Sequence, residues 1–179
     1  KPQPNVDDKT IFDHFLKAAP EGRVVAKDGN LQTGEGLSAM MFDETYYNDY
    51  VAHAPMEPHT AVVSFEGGKA TVWASTQTPF RAKDEVAKEL GISPENVRVV
   101  TPFVGGGFGG KSANRQAVEA ARLAKLTGKP VQVAWSRKEE FFYDTFRPAA
   151  IVKIKSGITD KGAMSLWEYR VYFAGQRGS

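Results

Sequence analysis

The stretch of this 179-residue chain best suited to chemistry is Gly105-Gly106-Gly107-Phe108-Gly109-Gly110-Lys111-Ser112. Five glycines around one phenylalanine are costly to order, because glycine loses more backbone freedom on folding than any other residue. Such a run persists where backbone must take positive φ, as expected at Gly107, or must approach another group closely. It follows an apolar strand-like run, Val97 to Val104, and leads into a helix-like run, Ala113 to Leu126, with Ser112 placed to cap it. Strand, glycine loop and helix N-terminus together offer N–H groups in a positive end-field, a site for an anion or an oxo group. A plain tight turn needs only one or two glycines. Gly105, Gly110, Lys111 and Ser112 also satisfy G-x-x-x-x-G-K-[ST], the letters of a nucleotide phosphate loop.

Two further groups of residues have suitable types. His53, Glu57 and His59 stand close together in Val51-Ala52-His53-Ala54-Pro55-Met56-Glu57-Pro58-His59-Thr60. Alone they have the donor types of a metal site, but Pro55 and Pro58 break the regular spacing of helical metal motifs, and no metal ligand is assigned. Gln77 lies in Ser75-Thr76-Gln77-Thr78-Pro79, where a strand pattern meets a helix start. Thr78 suits an N-cap and Pro79 the first helical position. A phosphate loop would need an apolar strand ending in Asp to hold magnesium; the best candidate, Val131 to Trp135, ends in Ser136.

The elements that must position these residues follow from periodicity. Lys1 to Asp8 has linker composition, and Ile11, Phe12, Phe15 and Leu16 repeat at helical spacing before Pro20. Glu21 to Ser38 is glycine-rich and polar and reads as loop, and the aromatic run Tyr46, Tyr47, Tyr50 begins the denser part of the chain. Ala61 to Phe65 and Ala70 to Ser75 form a hairpin through Gly67-Gly68. A helix runs from Pro79 to Leu90, with Gly91 to end it. In the next helix Ala113, Ala117, Ala120, Ala121 and Ala124 share a face that lets it lie close to a sheet. Arg115, Glu119 and Arg122 on the other side are spaced for ion pairs within the helix. Val131 to Trp135 reads as a strand, Ser136 to Tyr143 as a short charged helix, and Ala149 to Lys155 and Ala163 to Ala174 as two more strands. The order predicts an α/β (α+β) domain, a mixed sheet carrying two main helices.

Composition narrows the class. The net charge is +2, so nothing suggests a nucleic-acid partner, and no apolar run is long enough to span a bilayer. With no cysteine, the chain itself can hold no disulfide and no iron–sulfur cluster. Lys1 at one end and Gly175-Gln176-Arg177-Gly178-Ser179 directly after a strand pattern at the other suggest a piece of a longer protein.

From Tyr50 to Pro148 the chain resembles the molybdenum-binding subunit of the xanthine dehydrogenase and aldehyde oxidase family. The resemblance rests on His53-Ala54-Pro55-Met56-Glu57-Pro58, Ser75-Thr76-Gln77-Thr78-Pro79-Phe80, Gly105-Gly106-Gly107-Phe108-Gly109-Gly110-Lys111 and the strand Pro130 to Arg137, in that order and spacing. The first string is similar to that of the isoquinoline 1-oxidoreductase branch. The resemblance implies a molybdenum-cofactor-binding domain at 49–179 after a linker and N-terminal extension at 1–48. It implies hydroxylation of an aldehyde or an isoquinoline-like N-heterocycle with oxygen from water. The cofactor would be molybdopterin, in its cytosine dinucleotide form, and 2Fe-2S clusters would reside on a partner small subunit. Gln77, Gly106, Gly107, Phe108 and Gly109 would face the cofactor and Ser112 the substrate. Purine oxidisers carry Glu where Ser112 stands, which argues for an aldehyde or quinoline-like substrate. The family's base glutamate lies in a G-x-G-E motif that does not occur here, so no catalytic residue is assigned and the isolated chain is expected to be inert. The alternative is a non-catalytic assembly module. The compartment stays open between cytoplasm and periplasm of a bacterium.

Overall fold

A computed structural model describes residues 6–19 and 22–173. The expectations for Lys1 to Asn5, for Pro20 and Glu21, and for Ala174 to Ser179 lie outside the described residues. Two compact units are present, residues 52–147 and residues 1–51 with 148–179.

In the second of these, helix α1 (Ile11–Ala18) and helix α2 (Leu31–Leu37) accompany a three-stranded antiparallel sheet of β1 (Met40–Asn48), β8 (Ala150–Ile158) and β9 (Met164–Phe173), in the order β1-β8-β9. The sequence reading treats 21–38 as loop, yet α2 forms. Asn30 caps it by accepting from the Thr33 N–H at 3.1 Å, and Gly34 has no room for a side chain against Ser165 and Leu166. A helix containing two glycines has weak intrinsic propensity, so this one depends on packing. β1 has no clear alternation either. It pairs with β8 along its whole length, from Met40 opposite Ile158 to Asn48 opposite Ala150.

In residues 52–147 the chain order is β2 (Val51–Ala52), β3 (Thr60–Glu66), β4 (Lys69–Ala74), α3 (Pro79–Leu90), β5 (Val97–Val100), α4 (Arg115–Thr127), β6 (Val131–Ala134), α5 (Arg137–Tyr143) and β7 (Phe146–Arg147). β2 and β7 pair with each other, and a four-stranded mixed sheet runs β5-β4-β3-β6. The β3–β4 hairpin turns through Gly67 (φ 56°) and Gly68 (φ 75°), the left-handed pair that a two-residue hairpin demands. One face of the hairpin buries Ala61, Val63, Ala70, Val72 and Ala74. α3 packs on β5, α4 on β3 and β6, and the two helices touch each other over this face. α3 begins at Pro79 after Thr78 and ends at Gly91, left-handed with φ 70°. α4 buries Ala117, Ala120, Ala121 and Ala124, the expected alanine face.

Two boundaries beside the glycine loop differ from the sequence reading. β5 stops at Val100 rather than Val104. α4 starts at Arg115 after a 3₁₀ turn, Gly110–Ser112, so Ser112 caps nothing and the glycine loop does not feed a helix directly. The reason is local: Ala113 is extended (ψ 129°), and the Asn114 side chain is drawn to Thr76, Thr78 and Glu85 instead of the helix end. The charged side of α4 also pairs outward, Arg122 with Glu89 of α3 at 2.6 Å and Arg115 with the Tyr143 carbonyl at 2.9 Å.

Candidate functional site

β4 and β5 are neighbours and parallel, so their C-terminal ends open on the same edge of the sheet. β4 leads to Gln77 and β5 to the glycine loop, which is how residues about thirty apart in sequence meet. The Gly109 N–H donates to Gln77 Oε1 at 2.9 Å, and the Gln77 N–H donates to the Lys111 carbonyl at 2.9 Å. A Cβ on Gly107 would lie 2.5 Å from Gln77 Oε1. Gly107 is therefore glycine for lack of room and not for positive φ, which it does not adopt. Positive φ falls at Gly106 (90°), Gly109 (107°) and, against the usual steric rule, Phe108 (54°). An aromatic residue held left-handed stores about 1–3 kcal/mol of strain. The Phe108 side chain is nonetheless 73% exposed, so no burial of its own offsets that strain.

The loop leaves donors unused. Among the described residues, the N–H groups of Gly106, Gly107 and Phe108 find no acceptor, and neither does the amide nitrogen of the Gln77 side chain. Gln77 and Gly106 to Gly109 thus form one cluster. Ser112 follows in the 3₁₀ turn, half-buried, with its N–H on the Gly109 carbonyl at 3.2 Å and its own carbonyl accepting from Thr78 Oγ1 at 3.0 Å.

A wall of the loop comes from a segment read separately in the sequence. Every second residue from His53 to His59 faces it. His53 crowds the Cβ positions of Gly109 and Gly110 at 3.3 and 3.0 Å, and Pro55 approaches that of Gly106 at 3.7 Å. Glu57 accepts the Gly105 N–H, and His59 Nε2 lies 3.2 Å from the Gly110 carbonyl. Both histidines are backed by carboxylates. His53 Nδ1 is 3.2 Å from Asp144, and His59 Nδ1 is 2.9 Å from Glu140, whose other oxygen accepts the His59 N–H at 2.8 Å. His59, Glu140 and Asp144 place potential ligand atoms within 4.8 Å of one another, but both ring nitrogens of His59 already face protein oxygens.

Glu140 is delivered by α5. Ser136 caps that helix through a capping box with Glu139. The Ser136 N–H, and after it the Ser136 hydroxyl, hold the Glu139 carboxyl below its ordinary value. Glu140, Asp144 and Arg137 were not legible as site residues, because no spacing in the sequence ties them to the loop. The alternation 53, 55, 57, 59 was the available signal. Lys111 settles the phosphate-loop letters. It is fully buried, with Nζ 3.1 Å from Glu57, whereas a phosphate-loop lysine must reach its ligand.

A model of the molybdopterin cofactor-binding domain matches residues 16–175. The chain belongs to this family. Similar proteins include the molybdenum-binding subunit PaoC of an Escherichia coli aldehyde oxidoreductase, 32% identical over 89% of this chain and 21% of PaoC. The beta subunit of isoquinoline 1-oxidoreductase from Brevundimonas diminuta is 36% identical over 64% of this chain and 15% of its own length. The chain thus spans about a fifth, or less, of these relatives. Among solved structures, quinoline 2-oxidoreductase from Pseudomonas putida 86 matches 79% of the chain and 18% of its own length, with TM-score 0.70 and 26% identity. The aldehyde oxidoreductase of Desulfovibrio gigas shares the fold at TM-score 0.69 and 20% identity, over 77% of this chain and 15% of its own.

Proposed function

We propose that this molybdopterin cofactor-binding chain supplies one wall of the active site of a molybdenum hydroxylase. Its substrate would be an aldehyde or an electron-poor N-heterocycle such as an isoquinoline. The carrying observation is the set of unused donors at one place: the N–H groups of Gly106, Gly107 and Phe108 and the Gln77 amide. Preorganised donors of this kind stabilise negative oxygen. The missing Cβ atoms at Gly106 and Gly107 let the loop close against Phe108, Pro55 and Gln77, which keeps these donors together.

The residues present fit that group. Gln77, Gly106, Gly107, Phe108 and Gly109 would hold it, in its cytosine dinucleotide form, with Ser112 toward the substrate. When bound, the cofactor supplies the two-electron chemistry that transfers oxygen from water to the substrate carbon. The chain's part is to orient and to exclude. Gln77 is aimed by its bond from the Gly109 N–H, which leaves its amide nitrogen as donor. Phe108, held out by its left-handed backbone, shields one side from water. Ser112 offers a small neutral hydroxyl where a glutamate would select a purine. No base glutamate is assigned in this chain, so by itself it turns nothing over. Electrons would leave through 2Fe-2S clusters on a separate small subunit.

The deciding experiment is Gly107→Val in the complete polypeptide. The group it meets is Gln77, an exposed side chain able to move aside, so the fold survives while the donor is displaced. Metal analysis should show molybdenum content lower by about tenfold or more, with the melting temperature nearly kept. Full molybdenum in the variant would remove the loop from the cofactor site. A large fall in melting temperature, with metal retained in whatever folds, would mark a purely structural turn.

A further inference from the structure

Lys111 has no part in the function proposed above, yet it is the largest fully buried side chain among the described residues. A buried ammonium is tolerated only when paired. Its partner is Glu57 Oε2 at 3.1 Å, and the same oxygen accepts the Gly105 N–H. One carboxylate oxygen therefore joins the first glycine of the loop to the lysine after its last. The Glu57 N–H adds a return contact to the Gly105 carbonyl at 3.4 Å. Between these tied ends lie the three amides with no acceptor among the described residues. Glu57 is itself held from behind: Arg137 Nη2 donates to the carbonyls of Pro55 and Met56 at 2.5 and 3.3 Å. Gly105 cannot carry a side chain, since its Cβ would lie 2.6 Å from Glu57 Cβ.

We propose that Glu57 is the positioning residue of the glycine loop. Its carboxylate closes the loop into a ring across Gly105 and Lys111, and that closure holds the Gly106, Gly107 and Phe108 amides in the arc that receives the cofactor. Glu57 touches neither cofactor nor substrate and acts through the backbone. Lys111 holds the carboxylate in place. The proposal rests on the cofactor-site reading only for what the arc receives; the ring closure stands on geometry alone.

The pairing is asymmetric. Glu57 is about one-third exposed and can rehydrate when Lys111 is lost, whereas Lys111 is fully buried and cannot when Glu57 is lost. Four proteins test the proposal as complete polypeptides: Glu57→Ala, Glu57→Gln, Lys111→Met and the double variant Glu57→Gln, Lys111→Met. Two readouts are taken on each, molybdenum content and amide hydrogen exchange. In Glu57→Ala, exchange at Gly109, Gly110 and Ser112 should quicken by about tenfold or more while that at Val63 and Val72 in the sheet stays slow, and molybdenum should fall by about tenfold. Glu57→Gln alone should lose most of its metal, because the ammonium is left buried without a charge partner. The double variant should recover at least half of the wild-type metal and slow loop exchange, since glutamine still accepts from Gly105 and methionine fills the lysine's place. If Glu57→Ala does not fold, the comparison of Glu57→Gln with the double variant decides. Folded Glu57→Ala with wild-type loop exchange would overturn the proposal. So would equal quickening in loop and sheet, or a double variant no better than Glu57→Gln. Wild-type protein that takes up no molybdenum would refute the cofactor reading instead, leaving loop exchange to judge Glu57.

Discussion

Two glycine-rich turns in this chain look alike in sequence and are glycine for different reasons. At the hairpin tip, Gly67 and Gly68 have φ of 56° and 75°, and a Cβ on either would meet nothing within 4 Å. Their identity is dictated by the backbone alone. In the loop after β5, Gly105, Gly107 and Gly110 have no positive φ, yet a Cβ would fall 2.6 Å from Glu57, 2.5 Å from Gln77 and 2.5 Å from Asp144 respectively. Their identity is dictated by neighbours from other parts of the chain. A turn that only reverses direction tolerates any residue able to adopt the conformation. A turn wrapped by side chains admits a larger residue only where the side chain it meets can move aside, as the exposed Gln77 can for Gly107 and the buried Asp144 cannot for Gly110.

The sharpest break of this comparison is Gly110→Ala. Its Cβ would collide with the Asp144 carboxylate and with His53 Nδ1 at 3.0 Å, both largely buried and bonded to each other. Overpacking of this kind costs about 1–3 kcal/mol. Urea unfolding should show it, and Gly110→Asn should be worse. At the hairpin, Gly68→Ala should cost about 1–2 kcal/mol from left-handed strain alone. Gly68→Asn should cost only a few tenths, on the order of 0.3 kcal/mol, because asparagine visits that region readily. An asparagine that rescued Gly110 as well as Gly68 would erase the distinction.

A smaller effect tests the loop's remote support. Ser136→Ala removes the cap of α5, the helix that delivers Glu140 to His59, and should cost about 1 kcal/mol. It should also carry a pH signature. The Glu139 carboxyl is held below its ordinary value of 4.5 by Ser136, so its stabilisation is complete above that value and is lost as pH falls through the lower folded value. Ser136→Ala loses the part of that stabilisation that the hydroxyl supplies, so the difference in melting temperature between wild type and variant should shrink as the pH falls below 4.5. A difference independent of pH would mean that the Ser136 hydroxyl adds nothing to the Glu139 carboxylate beyond the Ser136 N–H, which alanine retains.

What the sequence made legible was local. The hairpin, the bounds of α3 between Thr78 and Gly91, and the alanine face of α4 each depend on residues within one or two turns of one another. What it hid was non-local. β1 exists because β8 pairs with it more than a hundred residues later, and α2 because Gly34 fits against Ser165 and Leu166. α4 starts two residues past its expected beginning because Asn114 is drawn away by Thr76, Thr78 and Glu85. At the candidate site the same division holds. Gln77 and the glycine loop were visible as motifs, and the parallel pairing of β4 with β5 explains their meeting. Glu57 and the two histidines were visible as residue types, but their task depended on knowing that they face the loop.

The bonds that shape the loop span 32 residues from Gly109 to Gln77, 48 from Gly105 to Glu57 and 54 from Lys111 to Glu57, and its histidine supports reach 81 and 91 residues onward. Contacts of such sequence separation close late in folding, after hairpins and helices have formed. A half-made chain, or one with a misplaced α5, would therefore have its secondary structure before it had a receptive loop. If the arc receives the cofactor as proposed, capture would act as a checkpoint on maturation, because a ligand that recognises the arc would recognise only molecules whose assembly is finished.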